Sequence, residues 1–208
     1  MYFLHNILEA FDRGYCSVRA FFADFKKGFD LVDHNVLSSE MARLDIHPAL
    51  VRWVKSFLTN RIQCVRINNV TSEYKKVNGG IPRGTKLGPL LFAILVNPLV
   101  DNWLFRIKFI DDLSVAEVIP RCSPSIMPII VNEIMNFATA RKMCLNPKKC
   151  NEILFDPLQY RFPLQSPLYI GGCPIESVQS FKLLGVYLSS DLKWTTHCEY
   201  IIKRASKR

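Results

Sequence analysis

Two apolar, strand-like segments of this chain run directly into aspartates. Ala20-Phe21-Phe22-Ala23 is a short apolar run that ends on Asp24, the pattern of a buried strand with a carboxylate at its end. Farther on, Phe105, Ile107 and Phe109 alternate with other residues, Asp111-Asp112 follow, and Leu113 and Val115 resume the pattern. Period-two alternation interrupted in this way predicts a hairpin with the acidic pair at or near its tip. Neighbours on a regular strand face opposite sides, and adjacent carboxylates repel one another. A tip relaxes the first constraint, and a divalent cation removes the second. Pairing of the two segments would bring Asp24 and Asp111 to one rim. An isolated Asp-Asp pair reads more readily as a solvated turn; here the shared position at the ends of two apolar strands favours a metal site.

Mg²⁺ takes oxygen ligands in an octahedral set, usually a few carboxylates completed by phosphates and water. Three carboxylates at a strand rim could hold two such ions, one at an attacking 3′-hydroxyl and one at a leaving pyrophosphate, the two-metal logic of nucleotidyl transfer. That reaction needs positioning and charge neutralisation more than a protein nucleophile. A second constellation, Gly80-Ile81-Pro82-Arg83-Gly84-Thr85, is a loop whose glycines let backbone approach a ligand closely. It lacks the Lys-Ser/Thr ending of a phosphate-binding P-loop, and by itself it is a weak signal, since Gly/Pro loops are mostly plain turns.

The remaining pattern predicts one alternating unit with a β-rich tail beyond about residue 156. Pro48 opens a helix with Leu50, Val51, Val54, Phe57 and Leu58 at helical spacing. Gln63–Ile67 and Glu73–Val77 flank Asn68-Asn69 as a hairpin. Pro89 helps to start an apolar helix running to about Val100. Ser123-Pro124 cap a helix with Ile126, Ile129, Ile130, Ile134, Phe137 and Ala138 on one face. Glu152–Phe155, Leu168–Ile170 and Lys182–Leu188 read as later strands.

Composition limits the partners. The 208 residues, 49% hydrophobic, suffice for one sizeable core. Lys and Arg number 27 against 18 Asp and Glu, a net charge of +9. That excess suits a phosphate backbone, although many basic soluble proteins carry it too. The seven cysteines form no Cys-x-x-Cys pair and no zinc spacing, which predicts reduced, mostly buried thiols. The start has no basic leader, and Leu87–Val100, broken by Asn97-Pro98, is too short to span a bilayer. An intracellular protein, cytoplasmic or nuclear and neither secreted nor membrane-bound, is expected.

Taken together, the segments resemble the reverse transcriptase domain of non-LTR retrotransposons of the LINE/jockey kind. Residues 23–34, Ala-Asp-Phe-Lys-Lys-Gly-Phe-Asp-Leu-Val-Asp-His, look like the first palm motif of that family. Residues 80–92 look like the second, Phe-Ile-Asp-Asp at 109–112 like the third, and Leu-Asn-Pro-Lys-Lys-Cys at 145–150 like the fourth. Leu-Leu-Gly-Val-Tyr-Leu at 183–188 with Asp-Leu-Lys-Trp at 191–194 resembles the fifth. The order and spacing hold over about residues 5–207, and five motifs in series are very specific.

The resemblance implies an α+β polymerase palm, an antiparallel sheet packed on helices, with fingers and thumb largely missing. Residues 1–156 would be the palm, with a remnant of fingers at 1–19, and 157–208 a β-rich, primer-grip-like tail leading toward an absent thumb. It implies that Asp24, Asp111 and Asp112 are the catalytic, metal-binding aspartates, with two Mg²⁺ ions for which Mn²⁺ could substitute. The backbone of Phe25 would lie near the metals. Phe29 matches the steric gate against a 2′-hydroxyl, Arg83 and Gly84 lie at the incoming nucleotide, and Lys149 is a candidate proton donor to pyrophosphate. Phe29 as a core residue, Lys149 as a solvated lysine, and Trp194 and Gly185 as plain packing are the competing readings. Three positions depart from the family pattern: Arg83 stands where glutamine is usual, Gly28 for alanine, and Pro98 for aspartate.

The implied activity is RNA-directed DNA synthesis with an RNA template (including the element's own RNA), a DNA primer and dNTP, weak or absent in so short a chain. Two rivals are a catalytically dead nucleic-acid-binding remnant and a palm polymerase making RNA, against which Phe29 argues.

Overall fold

The computed structural model describes residues 2–14, 16–77, 79–156 and 165–207. Its elements in chain order are α1 (Tyr2–Asp12), β1 (Cys16–Ala23), α2 (His34–Arg43), α3 (Pro48–Leu58), β2 (Arg61–Gln63), β3 (Arg66–Ile67), β4 (Val70–Thr71) and β5 (Lys75–Val77). There follow α4 (Leu87–Val96), β6 (Arg106–Phe109), β7 (Asp112–Pro120), α5 (Met127–Ala140), β8 (Asn151–Phe155), β9 (Tyr169–Ile170), β10 (Cys173–Pro174), β11 (Glu176–Ser177), β12 (Ser180–Leu183), β13 (Val186–Ser189) and α6 (Thr195–Ala205). Among the described residues no helix is long and apolar enough to cross a membrane.

The scaffold is a five-stranded sheet in the order β11-β8-β1-β7-β6. Its pairings are antiparallel except β11 with β8. Every residue of β1 is buried, because the sheet is covered on both sides. Phe21 and Ala23 face a core shared with α2, α4 and α5, which includes Leu37, Leu91, Phe92, Leu95, Ile130 and Ile134. Val18, Ala20 and Phe22 face the other core, with Phe3 and Ile7 of α1, Ile153, Phe155 and Leu188. Alternate side chains thus enter opposite cores, which explains why β1 reads as a continuous apolar run and not as apolar-polar alternation. The architecture is α+β.

Several local details differ from the sequence expectations. The cysteines are not mostly buried: Cys16 and Cys150 are, while Cys122, Cys144, Cys173 and Cys198 are exposed. Helix α4 ends at Val96 instead of continuing toward Val100. Pro98 has no N–H to give to Ile94, and the Asn97 N–H already reaches the Ile94 carbonyl in a tighter turn. Helix α5 starts at Met127, past Ser123-Pro124. Its free N–H groups find acceptors elsewhere: Ser125 Oγ accepts from Met127 (3.2 Å), and a Glu117 oxygen accepts from Ile126 (2.7 Å). The buried face of α5 is correspondingly Met127, Ile130, Val131, Ile134 and Ala138, while Ile129 is 69% exposed. Residues 182–188 form two strands, because the chain reverses at Leu184-Gly185, where Gly185 has φ +93°.

The tail contributes to the sheet. β11 pairs with β8, and Phe181 stacks on Phe22 of β1 with ring centroids 3.9 Å apart. Residues 157–164, at the expected domain boundary, lie outside the described residues.

Candidate active site

Register places the acidic residues. In the β1–β7 ladder Ala23 pairs with Leu113, so one further step brings Asp24 level with Asp112. β6 and β7 close on the pair Phe109–Asp112, leaving Ile110 and Asp111 as the two-residue turn. Ile110 has φ +57°, a conformation that a β-branched side chain adopts only when the surroundings impose it. The hairpin tip expected from the alternation is therefore present, and Asp112 is the first residue of β7.

The electrostatics show convergence of like charge. The Asp112 carboxyl is held above the usual carboxylate range, first by partial burial, then by the charges of Asp111 and Asp24. Lys149 supplies a cation, with its Nζ 3.8 Å from Asp24 Oδ2. Asp24, Asp112 and Lys149 line one recess of about 80 Å³ together with Phe181, Lys182 and Leu184. Phe29, Arg83 and Gly84 do not line it.

The segment that carries Lys149 clamps the chain around Asp24. Asn146 N–H donates to the Asp24 carbonyl (2.8 Å), and Lys26 N–H donates to the Cys144 carbonyl (2.8 Å). Phe25 forms a bridge with Leu145, and the Asp24 N–H reaches Cys150 Sγ at 3.4 Å. Burial pushes the Cys150 thiol up to about 11, so it packs as a protonated group. The Phe25 side chain is buried in the core beside Phe92, leaving only its backbone near Asp24.

The glycine-rich loop is strapped to the segment following Asp24. Gly80 N–H donates to Val32 (2.9 Å), and Ile81 N–H donates to the Phe29 carbonyl (2.7 Å). Gly80 has φ +73°, and a Cβ there would lie 2.6 Å from the Asp30 carbonyl oxygen. Only glycine fits so close an approach. His34 Nε2 bonds the Gly80 carbonyl (2.8 Å), and one Arg61 nitrogen donates to the carbonyls of Gly79 and Gly80 (2.8 and 2.6 Å). Arg61, His34, Asn146 and Cys150 thus position the site, but sequence reasoning assigned none of them that role. Their partners are far away along the chain, and no periodicity announces them.

Phe29 is half-buried and stacks on Phe92, with centroids 5.1 Å apart and planes 9° from parallel. Gly28 makes that packing close: a Cβ there would meet the Phe92 ring edge at 3.3 Å. Arg83 makes a two-point ion pair with Asp30, Nε to Oδ1 at 3.1 Å and one terminal nitrogen to Oδ2 at 2.9 Å. Gly84 is exposed in open space.

Among the described residues no group of three or more His, Cys, Asp or Glu side chains forms a ready-made metal cage. The acidic rim still fits a hard divalent ion. It offers oxygen donors in excess of their cations and leaves positions open, as Mg²⁺ sites completed by substrate phosphates do.

Residues 9–188 match the family model described as reverse transcriptase (RNA-dependent DNA polymerase). The chain belongs to the reverse transcriptase family. Among the relatives of this reverse transcriptase chain is the RNA-directed DNA polymerase from transposon X-element of Drosophila melanogaster, itself described as probable. The two are 30% identical over 204 residues, 93% of this chain and 22% of the relative. The corresponding polymerase of transposon BS, also of Drosophila melanogaster and described in the same way, is 27% identical over 98% of this chain and 23% of its own length. The chain therefore spans less than a quarter of these relatives. Among solved structures, telomerase from Candida tropicalis in complex with a TWJ fragment of telomeric RNA superimposes with a TM-score of 0.61. That match is 13% identical and covers 92% of this chain and 31% of the telomerase. It establishes the shared fold.

Proposed function

We propose that this chain carries the catalytic palm of an RNA-directed DNA polymerase of a non-LTR retrotransposon. One observation carries the reading. Asp24 at the end of β1 and Asp111-Asp112 at the β6–β7 turn converge, and partial burial together with the charges of Asp111 and Asp24 holds the Asp112 carboxyl above its ordinary range. Like charge in excess at a strand rim, met only in part by Lys149, is costly in a folded chain and suits a cationic partner.

In this reading Asp24, Asp111 and Asp112 hold divalent metal, Mg²⁺ by preference. Bound there, the metal would activate the primer 3′-hydroxyl and neutralise the leaving pyrophosphate. The chain's own groups do the rest. The 144–150 segment fixes the Asp24 backbone by the Asn146 bond, so the carboxylate points from a rigid strand end. Lys149, beside Asp24, is placed to give a proton to departing pyrophosphate or to pair with its charge. Phe29, held flat against Phe92, excludes a 2′-hydroxyl by bulk. RNA template, DNA primer and dNTP are the proposed substrates. The 1–156 and 157–208 division is kept as a functional one, palm followed by primer-grip-like tail, although β11 joins the two through the sheet.

The Arg83–Asp30 pair favours a second reading, a nucleic-acid-binding remnant without synthesis, because it engages the side chain otherwise assigned to the nucleotide. Primer extension on poly-rA/oligo-dT separates the two. Mg²⁺-dependent dTTP incorporation that is lost in Asp111→Ala supports the polymerase; incorporation unchanged in Asp111→Ala refutes the metal assignment. Salt-dependent hybrid binding with no synthesis supports the remnant.

A further inference from the structure

Residues 61–77 form a two-stranded ribbon that stands away from both cores. β2 pairs with β5, and β3 pairs with β4 around the Asn68-Asn69 tip. None of its strand residues is buried. Ile67, Val70 and Tyr74 are 68%, 75% and 67% exposed. An isolated two-stranded ribbon is marginal in water, so a surface that completes it is expected.

Charge identifies the partner. The ribbon carries Arg61, Arg66, Lys75 and Lys76 against the single acid Glu73. Arg61 is committed to the carbonyls of Leu58, Gly79 and Gly80 at the ribbon's base. Arg66, Lys75 and Lys76 are exposed and form no ion pair among the described residues. Three unpaired cations beside an exposed tyrosine suit a polyanion whose bases can stack. The ribbon is also continuous with the candidate site. Its base is clasped by Arg61 to Gly80, and the next residue, Ile81, bonds the Phe29 carbonyl.

We propose that the 61–77 ribbon is a nucleic-acid contact that grips the phosphate backbone of the template–primer hybrid beside the catalytic rim, through Arg66, Lys75 and Lys76. The assignment rests on the polymerase reading. A labelled poly-rA/oligo-dT hybrid tests it by fluorescence anisotropy over a series of salt concentrations. Arg66→Glu/Lys75→Glu/Lys76→Glu is compared with Arg52→Glu/Lys55→Glu/Arg121→Glu, three exposed cations outside the ribbon that alter net charge equally. The ribbon variant is expected to bind about tenfold or more weakly, with a log–log salt slope flatter by about 2 to 3, while the control variant changes far less. Amides of residues 61–77 are expected to gain hydrogen-exchange protection when hybrid is added to the unaltered chain.

Equal weakening by the two variants, or no added protection at 61–77, would overturn the assignment and leave the polymerase reading standing. Absence of hybrid binding by the unaltered chain would overturn both. A dimer in sedimentation velocity that the ribbon substitutions disperse, with hybrid affinity unchanged, would assign the ribbon to a second copy of the chain instead. Circular dichroism of each variant, matched to the unaltered chain, establishes that the exposed substitutions leave the fold intact.

Discussion

β1 carries charge in its middle and charge just past its end, and the fold treats the two in opposite ways. In the middle, Arg19 is only 3% exposed, yet each guanidinium nitrogen has an acceptor. Nε donates to Glu152 on β8 (2.7 Å), and the terminal nitrogens donate to Ser125 Oγ (3.1 Å) and the Ser166 carbonyl (2.8 Å). Glu117 on β7 closes the network by accepting from Ser125 and Ile126. Burial pushes the Glu152 carboxyl up, and the Arg19 charge and hydrogen bond pull it back. Past the end of β1, Asp24 meets two further carboxylates, and Asp112 feels only influences that raise it. One cluster answers its own charges and welds α5 and the 165–170 segment to the sheet. The other leaves negative charge in excess at a rim. A charge met by its own partner marks a structural cluster; an excess of one sign, met in part by Lys149, marks a site built for a partner outside the chain.

The largest expected effect breaks the compensated cluster. Arg19→Ala leaves Glu152 buried without its cation and should destabilise by about 3–5 kcal/mol, read from urea unfolding. A loss below about 1 kcal/mol would mean that the network contributes nothing. Removing both charges together sharpens the point: Arg19→Met/Glu152→Leu should lie within about 1–2 kcal/mol of the unaltered chain, since neither member of the pair is left behind and Glu117 keeps its donors Ser125 and Ile126. If the double variant is as unstable as Arg19→Ala, hydrogen bonding by the pair outweighs its desolvation.

The acidic rim should respond with the opposite sign. Millimolar Mg²⁺ is expected to raise the melting temperature of the unaltered chain by mass action, and to do so less in Asp112→Asn. Equal rises would place the ion elsewhere. The smallest effect concerns Asp112 without metal. Asp112→Asn removes like-charge repulsion from an exposed group, so at neutral pH it should gain about 0.5 kcal/mol or less while abolishing synthesis. The sign follows from linkage. The folded-state pKa of Asp112 lies above its unfolded value, so the unaltered chain loses stability as pH rises through the folded pKa. Below the unfolded value, about pH 4, both states are protonated and the advantage of the variant vanishes. An advantage that grows on acidification would contradict the repulsion.

Much of this was legible in local pattern. The all-buried run before Asp24, the alternation before Asp111-Asp112 and the Asn68-Asn69 turn each produce their expected element, because side-chain period reports which face is covered. The start of α5 was not legible. Its N-terminal donors are satisfied by Ser125 Oγ and by Glu117, which reaches Ile126 from a neighbouring strand, so Ser123-Pro124 was the more visible cap but not the one used.

The sequence by itself determined which chemistry this chain is descended from. Carboxylates at the ends of two apolar strands, followed in order by the remaining motifs, specify a rim of like charge wherever those strands pair. Tertiary structure alone decided how that rim is held and what surrounds it. It chose Cys150 and Asn146 to fix Asp24, Arg61 to clasp Gly80, Phe92 to back Phe29, and Asp30 to engage Arg83. The physical reason is that periodicity encodes the environment of a face, whereas a hydrogen bond or an ion pair depends on which distant atoms arrive within about 3 Å once the faces have packed.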